Sequence, residues 1–206
     1  MRNVDDRKEL VRRGYDAVSQ RYDETYGAET KYQPWLAALV ATLPPGSTVV
    51  DLGCGSGVPV ARAFAAAGHR VVGVDFSEGQ LGRARSLVPG ARFVRADLAG
   101  VSFPPASLDA VVAFYSIIHV PLDEQPALLG RIGSWLRPGG VFAATMGHTA
   151  WTGTDDDWLG APMWWSHADA DTNRSWLAGA GLVVEREEYL PEGDGGAVLF
   201  EARKPS

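Results

Sequence analysis

The chain has 206 residues, 46% of them hydrophobic, enough for one compact domain with a sizeable core. Its formal net charge of -6 argues against broad affinity for nucleic acid or an anionic membrane. A lone cysteine, Cys54, excludes a disulfide framework and a cysteine metal cluster. Positive charge is carried almost wholly by arginine, with lysine only at Lys8, Lys31 and Lys204. The segment from Arg2 to Arg13 is too charged for an ordinary signal peptide, and no apolar run approaches membrane-spanning length. A soluble cytoplasmic domain is therefore expected. Asn173-Arg174-Ser175 spells a glycosylation sequon, which carries no weight without an export signal.

In chain order, residues 3–26 read as one or two polar amphipathic helices with Leu10, Val11, Tyr15, Val18 and Tyr22 on one face. A second helix, about 33–43, ends before Pro44-Pro45-Gly46. Thr48 to Leu52 suits a buried strand, and Gly53-Cys54-Gly55-Ser56-Gly57 turns it into a helix from Val60 that Gly68 stops. His69 is expected at the surface. Arg70 to Asp75 is the second strand, and Ser77 with Gln80 reads as a capping box opening the next helix. Strands follow at Ala91 to Ala96 and at Leu108 to Phe114, the latter apolar enough to be covered on both faces. Pro121 to Leu136 is a helix with Leu128, Ile132, Trp135 and Leu136 on one face, stopped by Arg137-Pro138-Gly139-Gly140. Val141 to Met146 makes a fifth strand. A helix around 169–180 ends at Gly181, and Leu182 to Tyr189 pairs with Ala197 to Arg203 as an antiparallel hairpin across a turn at 191–196. No repeat, low-complexity segment or linker interrupts the series.

The glycine loop narrows the ligand. A dinucleotide site needs Gly-x-Gly-x-x-Gly, with pyrophosphate at the helix N-terminus. Here the spacing is Gly-x-Gly-x-Gly, and Asp51 stands just before it. A carboxylate there repels pyrophosphate and attracts a ligand bearing ammonium and sulfonium charge. Val58 and Pro59 occupy the places of the Lys and Ser/Thr that a triphosphate loop requires. Asp51, Asp75 and Asp97 fall at the carboxyl ends of three successive strands, where open α/β sheets bind ligands. Any one of them could simply stabilise a helix dipole. All three around one glycine loop point to a single extended ligand.

From Val49 to Gly57 the chain resembles the first motif of the class I S-adenosylmethionine-dependent methyltransferases. Five alternating β/α units followed by an antiparallel hairpin resemble that family's Rossmann-like α/β sheet with helices on both faces, and the likeness runs over residues 10–203. It implies a single domain over 1–206 with a helical cap at 1–43, S-adenosylmethionine as cofactor, and no metal. It also implies that Asp51 lies near the methionine ammonium and that Gly53 and Gly55 pass beneath the methionine moiety. Asp75 would hold the ribose hydroxyls, Asp97 with the Leu98 amide would read the adenine edge, and Phe76 and Leu98 would sandwich the ring. Gly14-Tyr15-Asp16 and Arg21-Tyr22-Asp23 resemble the tyrosine pattern of a leading helix that closes over the cofactor; Tyr22, and less readily Tyr15, either contacts ligand or only packs the helix down. Phe114 to Val120 resembles the family's loop ending in His, so that Phe114 or Tyr115 touches cofactor. His119 is either a general base, for which imidazole suits, or a buttress of its loop.

Residues 147–168 hold four of the seven tryptophans and leave the fifth strand on the side where the methyl group would sit. Long loops in compact domains are usually functional, so this stretch reads as an active-site lid. Trp151, Trp164 and Trp165 are expected to line an acceptor pocket, with His148 and His167 as alternative proton acceptors. Trp158 reads equally well as filler of a satellite core. His148, His167 and Asp155 to Asp157 match no metal-ligand spacing. The resemblance implies methyl transfer, here expected to an O or N nucleophile; the acidic balance and the aromatic segment favour a small, planar metabolite as acceptor over nucleic acid or a membrane, with the chain a monomer or homodimer. Where nucleic-acid amino-methylases carry Asn/Asp-Pro-Pro-aromatic, this chain has Phe114-Tyr115-Ser116-Ile117. An NAD-type oxidoreductase and a non-catalytic S-adenosylmethionine-binding domain stay open as alternatives.

Overall fold

The computed structural model describes residues 4–27, 32–193 and 195–206. The elements run α1 (Val4–Tyr26), α2 (Gln33–Thr42), β1 (Thr48–Leu52), α3 (Val60–Ala66), β2 (Arg70–Asp75), α4 (Glu78–Leu87), β3 (Arg92–Arg95), β4 (Leu108–Ala113), α5 (Gln125–Trp135), β5 (Leu136–Gly147), β6 (Trp151–Trp158), β7 (Ala161–His167), α6 (Ala170–Gly179), β8 (Val183–Glu192) and β9 (Gly195–Arg203). Seven strands form one sheet in the order β3-β2-β1-β4-β5-β9-β8, while β6 and β7 form a separate two-stranded sheet. β1 lies at the switch point, paired in parallel with β2 on one side and β4 on the other. That is why Val49 and Val50 are wholly buried: each meets a helix layer on its own face.

One layer sets Leu128, Leu129, Ile132 and Trp135 of α5 against Phe142 and Phe200 of the sheet. The other sets Leu36 and Leu39 of α2 and Phe64 of α3 against Val49, Val71 and Val112. The final hairpin closes the sheet antiparallel, β5 to β9 and β9 to β8. At that outer edge Glu185, Arg186, Glu187 and Glu188 are charged and largely exposed, which discourages pairing with another chain.

The structure departs from the sequence reading at several places. Residues 96–107, between β3 and β4, hold turns and no helix. Pro104 and Pro105 remove backbone donors there, and Phe103 instead packs edge-on against Trp135 at 5.2 Å. α5 starts at Gln125 rather than Pro121, after a turn in which Glu124 N–H donates to the Pro121 carbonyl. The stretch Arg137 to Gly140 belongs to β5, with a register shift between the Leu108 and Ala110 pairings. Of the expected C-terminal turn, Pro191 and Glu192 lie in β8, Gly195 and Gly196 lie in β9, and Asp194 is outside the described residues, as is position 3 of the leading helix. His69 is buried, not exposed: Gly68, at φ +82°, turns the chain back so that the imidazole meets Phe64 edge-on at 5.8 Å. Asn173 of the sequon is fully buried, its amide donating to the carbonyls of Gly147 at 3.0 Å and Ala168 at 3.3 Å.

The largest departure is the stretch 147–168, read as an irregular lid and found as a β-hairpin. β6 and β7 pair antiparallel, with Trp158 opposite Ala161. The two residues between them, Leu159 and Gly160, have φ of +51° and +85°, the positive pair that matches the twist of a tight hairpin. Arg21 of α1 donates to the Leu159 carbonyl. α1 lies across the carboxyl ends of the strands: a Cβ on Gly14 would stand 2.7 Å from Met163 of β7. Asp16 accepts from the Ser77 hydroxyl at 2.7 Å and the Gly79 amide at 3.1 Å at the start of α4.

Candidate active site

Gly53, Gly55 and Gly57 all have positive φ, so the loop can bend sharply over the end of β2, where the Gly53 and Cys54 amides both donate to the Val74 carbonyl at 2.7 and 3.0 Å. Asp75 holds the bend, accepting from the Gly55 amide at 3.0 Å and the Ser77 amide at 2.9 Å. Ser77 caps α4 by accepting from the Gln80 amide at 3.1 Å. The reciprocal half of the expected capping box is absent, because Gln80 Oε1 accepts from Ser19 of α1 instead. Burial pushes the Asp75 carboxyl up to about 6, against the pull of its backbone donors.

Asp51 is 2% exposed. Its Oδ2 is buried with no partner. Burial first, and then the Asp75 charge, push it up to about 8. Asp97 accepts from Lys8 of α1 at 2.8 Å and from the Ala99 amide at 2.9 Å. Lys8 also reaches Glu124 at 2.6 Å; burial works against its ammonium, but the two carboxylates raise its pKa.

These groups enclose an inner chamber. Gly53, Gly55, Asp75, Phe76, Asp97, Leu98, Phe114 and Tyr115 line it, with Tyr15, Tyr22 and His119 from the opposite side. Nine of the residues expected at a cofactor are thus brought together, Tyr22 among them. Asp51 is not on that wall; it faces an adjoining hollow under Gly53, Cys54 and Gly55 that shares Tyr22, Phe114 and Tyr115 with the chamber.

Tyr15, Tyr22, Tyr115 and His119 also border an outer chamber of about 770 Å³. Of the residues proposed for the acceptor, Trp151, Trp165 and His167 line it. Trp164 does not. Neighbouring residues of a strand point to opposite faces, so Trp164 is 5% exposed under Arg7, whose guanidinium lies 5.1 Å from the ring centroid. His148 is not part of this wall either; it is exposed and lies 4.6 Å from the Tyr189 ring. Sequence reasoning missed Tyr26, Tyr32, Asp155 and Trp158 as wall residues. Trp158 packs edge-on against Tyr15 at 5.6 Å and Trp165 at 5.7 Å. The alternation of Trp165 and His167 on one face was the available signal, hidden while the segment was read as a loop.

His119 ends a 3₁₀ turn, Ile117–His119, and is 8% exposed. Its Nδ1 lies 2.7 Å from the Trp164 carbonyl, which can only accept, so Nδ1 carries the proton. Its Nε2 therefore accepts from the Tyr15 hydroxyl at 2.9 Å. Burial pushes the ring down to about 4, the Trp164 carbonyl resisting and His167 adding to the depression. At neutral pH the imidazole is uncharged.

These shifts predict an uneven pH dependence of stability. A carboxyl raised on folding stabilises fully below its unfolded pKa and loses that contribution as pH climbs to its folded value. For Asp75 the loss ends near 6, and for Asp51 near 8. His119, lowered from 6.5 to about 4, acts with the opposite sign and destabilises as pH falls through that range. Below about pH 6.5 the terms oppose one another; from there to about pH 8 Asp51 acts alone. The melting temperature of the ligand-free protein should fall across that upper window, and Asp51→Asn should remove the fall. A flat wild-type profile by scanning fluorimetry would show Asp51 ionised throughout.

Among the described residues no group of three or more His, Cys, Asp and Glu could hold a metal ion, and no helix is long and apolar enough to cross a membrane. Residues 49–140 match the family model of a methyltransferase domain. Sterol 24-C-methyltransferase ERG6B of Gibberella zeae is 33% identical over 128 residues, covering 59% of this chain and 33% of that protein. Trans-aconitate 2-methyltransferase of Variovorax paradoxus is 40% identical over 133 residues, covering 63% and 48%. The chain thus spans a third to about half of the length of these curated relatives. Among solved structures, an S-adenosylmethionine dependent methyltransferase from Mesorhizobium loti superposes with a TM-score of 0.66 at 26% identity, over 84% of this chain and 97% of that one. With the sheet order, the glycine bend beside a buried acid and these likenesses in agreement, the chain has the fold of the class I S-adenosylmethionine-dependent methyltransferases and is similar to them in sequence over residues 49–140.

Proposed function

We propose that the protein methylates an oxygen or nitrogen nucleophile of a small, planar acceptor, with S-adenosylmethionine as donor. The observation that carries this reading is the junction of the two chambers. A cavity built on the glycine bend meets an aromatic-walled one, and Tyr15, Tyr22, Tyr115 and His119 belong to both.

The family's cofactor fits the residues present. Asp51 offers an unpartnered buried carboxyl oxygen beside the bend, which a ligand ammonium would satisfy and draw into the ionised form. Gly53 and Gly55 would admit the methionine end, Asp75 would take the ribose hydroxyls, and Phe76 and Leu98 would flank the adenine. Asp97 is already bound by Lys8, so its hold on the adenine edge would be shared. When bound, the sulfonium supplies an activated methyl group open to in-line displacement. The chain's own contribution is then alignment and exclusion of water, for which Trp151, Trp158 and Trp165 are suited. The two relatives are named for a sterol and for trans-aconitate, chemically unlike acceptors, so the acceptor is argued from the chamber alone.

Calorimetry with S-adenosylhomocysteine and with NAD separates this reading from an oxidoreductase: binding of the first and not the second is expected, and the reverse overturns it. Release of S-adenosylhomocysteine from a panel of planar metabolites then tests turnover. Trp151→Ala and Trp165→Ala should each raise the acceptor KM by roughly tenfold, from lost stacking, and leave S-adenosylhomocysteine affinity unchanged. Unaltered KM in both variants would place the acceptor elsewhere.

A further inference from the structure

We propose that Tyr15 and His119 form a proton relay in which the Tyr15 hydroxyl takes the proton of the acceptor's nucleophile as it hands its own to His119 Nε2. The relay rests on the methyl-transfer reading and narrows it to acceptors that lose a proton from a hydroxyl.

Three observations converge. Tyr15 and His119 both border the two chambers, where a nucleophile would meet the methyl group. The Trp164 carbonyl fixes the proton on Nδ1, leaving Nε2 as the acceptor of the Tyr15 hydroxyl at 2.9 Å. The pair is held from several sides: Tyr15 from α1, with Tyr22 and Asp75 acting on it, and His119 from its own turn, with the Trp165 ring at 5.7 Å and His167 on β7. A hydroxyl whose donor is spent on imidazole presents only acceptor lone pairs to the chamber.

The step balances. As the nucleophile oxygen bonds the methyl carbon, the carbon–sulfur bond breaks and leaves its electron pair on sulfur. The nucleophile O–H breaks and an O–H forms on Tyr15. Tyr15's original O–H breaks and an N–H forms on Nε2, and the resulting imidazolium keeps its Nδ1 proton on the Trp164 carbonyl. Burial holds Tyr15 well above the ordinary phenol range, so it cannot serve alone as a phenolate. Burial also keeps His119 a weak base. It can accept from an oxygen made acidic by alkylation but cannot strip an alkylammonium, whose pKa is about 10.

Side-chain nitrogen NMR of the complex with S-adenosylhomocysteine tests the tautomer directly. His119 should be neutral, protonated on Nδ1, and unchanged from about pH 5 to 9. Tyr15→Phe should shift Nε2 alone, since the ring's contacts with Tyr22 and Trp158 survive loss of the hydroxyl. A proton on Nε2, or a charged ring at neutral pH, overturns the relay. In turnover of a panel of phenols, hydroxyquinolines and primary alkylamines, Tyr15→Phe and His119→Asn should each lower kcat about 100-fold, the double variant no further, and S-adenosylhomocysteine affinity should stay within about twofold. Full kcat in Tyr15→Phe, affinity falling in step with kcat, or methylation of alkylamines alone would refute it. Absence of S-adenosylhomocysteine binding by wild type would instead refute the methyl-transfer reading, and the same nitrogen NMR on the ligand-free protein would still decide the geometry.

Discussion

Asp75→Ala should weaken S-adenosylhomocysteine binding by at least 100-fold while moving folding stability by no more than about 3 kcal/mol, because the two effects draw on different terms. On the folding side the terms oppose one another. Without the carboxylate, the Gly55 and Ser77 amides lose their acceptor, and an unsatisfied buried donor costs about 1–3 kcal/mol. Against this, an ionised carboxyl pushed up to about 6 is itself strained by burial, and its removal relieves about 3 kcal/mol at neutral pH. On the binding side nothing offsets the loss. Two ribose hydroxyls donating to a charged acceptor contribute about 1.5–3 kcal/mol each, or roughly 100-fold and upward together. Calorimetry and urea unfolding of the same variant read the two quantities separately. Affinity within tenfold of wild type would mean that Asp75 only braces the loop.

The parts of this molecule legible in its sequence are those governed by local rules. β2 coincides with the Arg70 to Asp75 run because its apolar residues are continuous and its ends are marked by a glycine turn and a capping serine. The glycine bend was readable for the same reason, since positive φ at Gly53, Gly55 and Gly57 has few other tenants. What escaped depends on distant partners. The β6–β7 hairpin turns on Leu159-Gly160, which lacks the usual Asn-Gly signature, and Arg21, far off in the chain, supplies the Leu159 carbonyl with a donor. Once the hairpin is missed, Trp164 and Trp165 cannot be assigned to opposite faces. Gln80 abandons its capping box because Ser19 reaches it from α1. His69 follows a glycine turn that was readable, but its burial depends on the imidazole folding back onto Phe64, a contact the local pattern does not announce.

Gly53→Ala should be the more damaging change to the fold, lowering stability by about 3–5 kcal/mol and abolishing detectable S-adenosylhomocysteine binding. The left-handed conformation at φ +72° accounts for only part of this, since an L-residue there costs about 1–2 kcal/mol. The remainder is collision: a Cβ on Gly53 would stand 2.2 Å from Ser116 Cβ and 3.5 Å from its Cα. Ser116 cannot swing aside, because its obstructing atom is attached directly to backbone. That backbone is pinned one residue earlier, where Tyr115, at φ +53°, donates its amide to Thr145 Oγ1 at 2.5 Å. Ser116→Gly removes the obstacle without disturbing a hydrogen bond, for Ser116 Oγ is buried with no partner. The double variant should therefore recover most of the loss and remain only about 1–2 kcal/mol below Ser116→Gly itself, the residue of backbone strain. A double variant as unstable as Gly53→Ala would show that the close approach is not the cause. Recovery would show that the glycine bend and the loop bearing Phe114 and Tyr115 must stay in contact for either chamber to form.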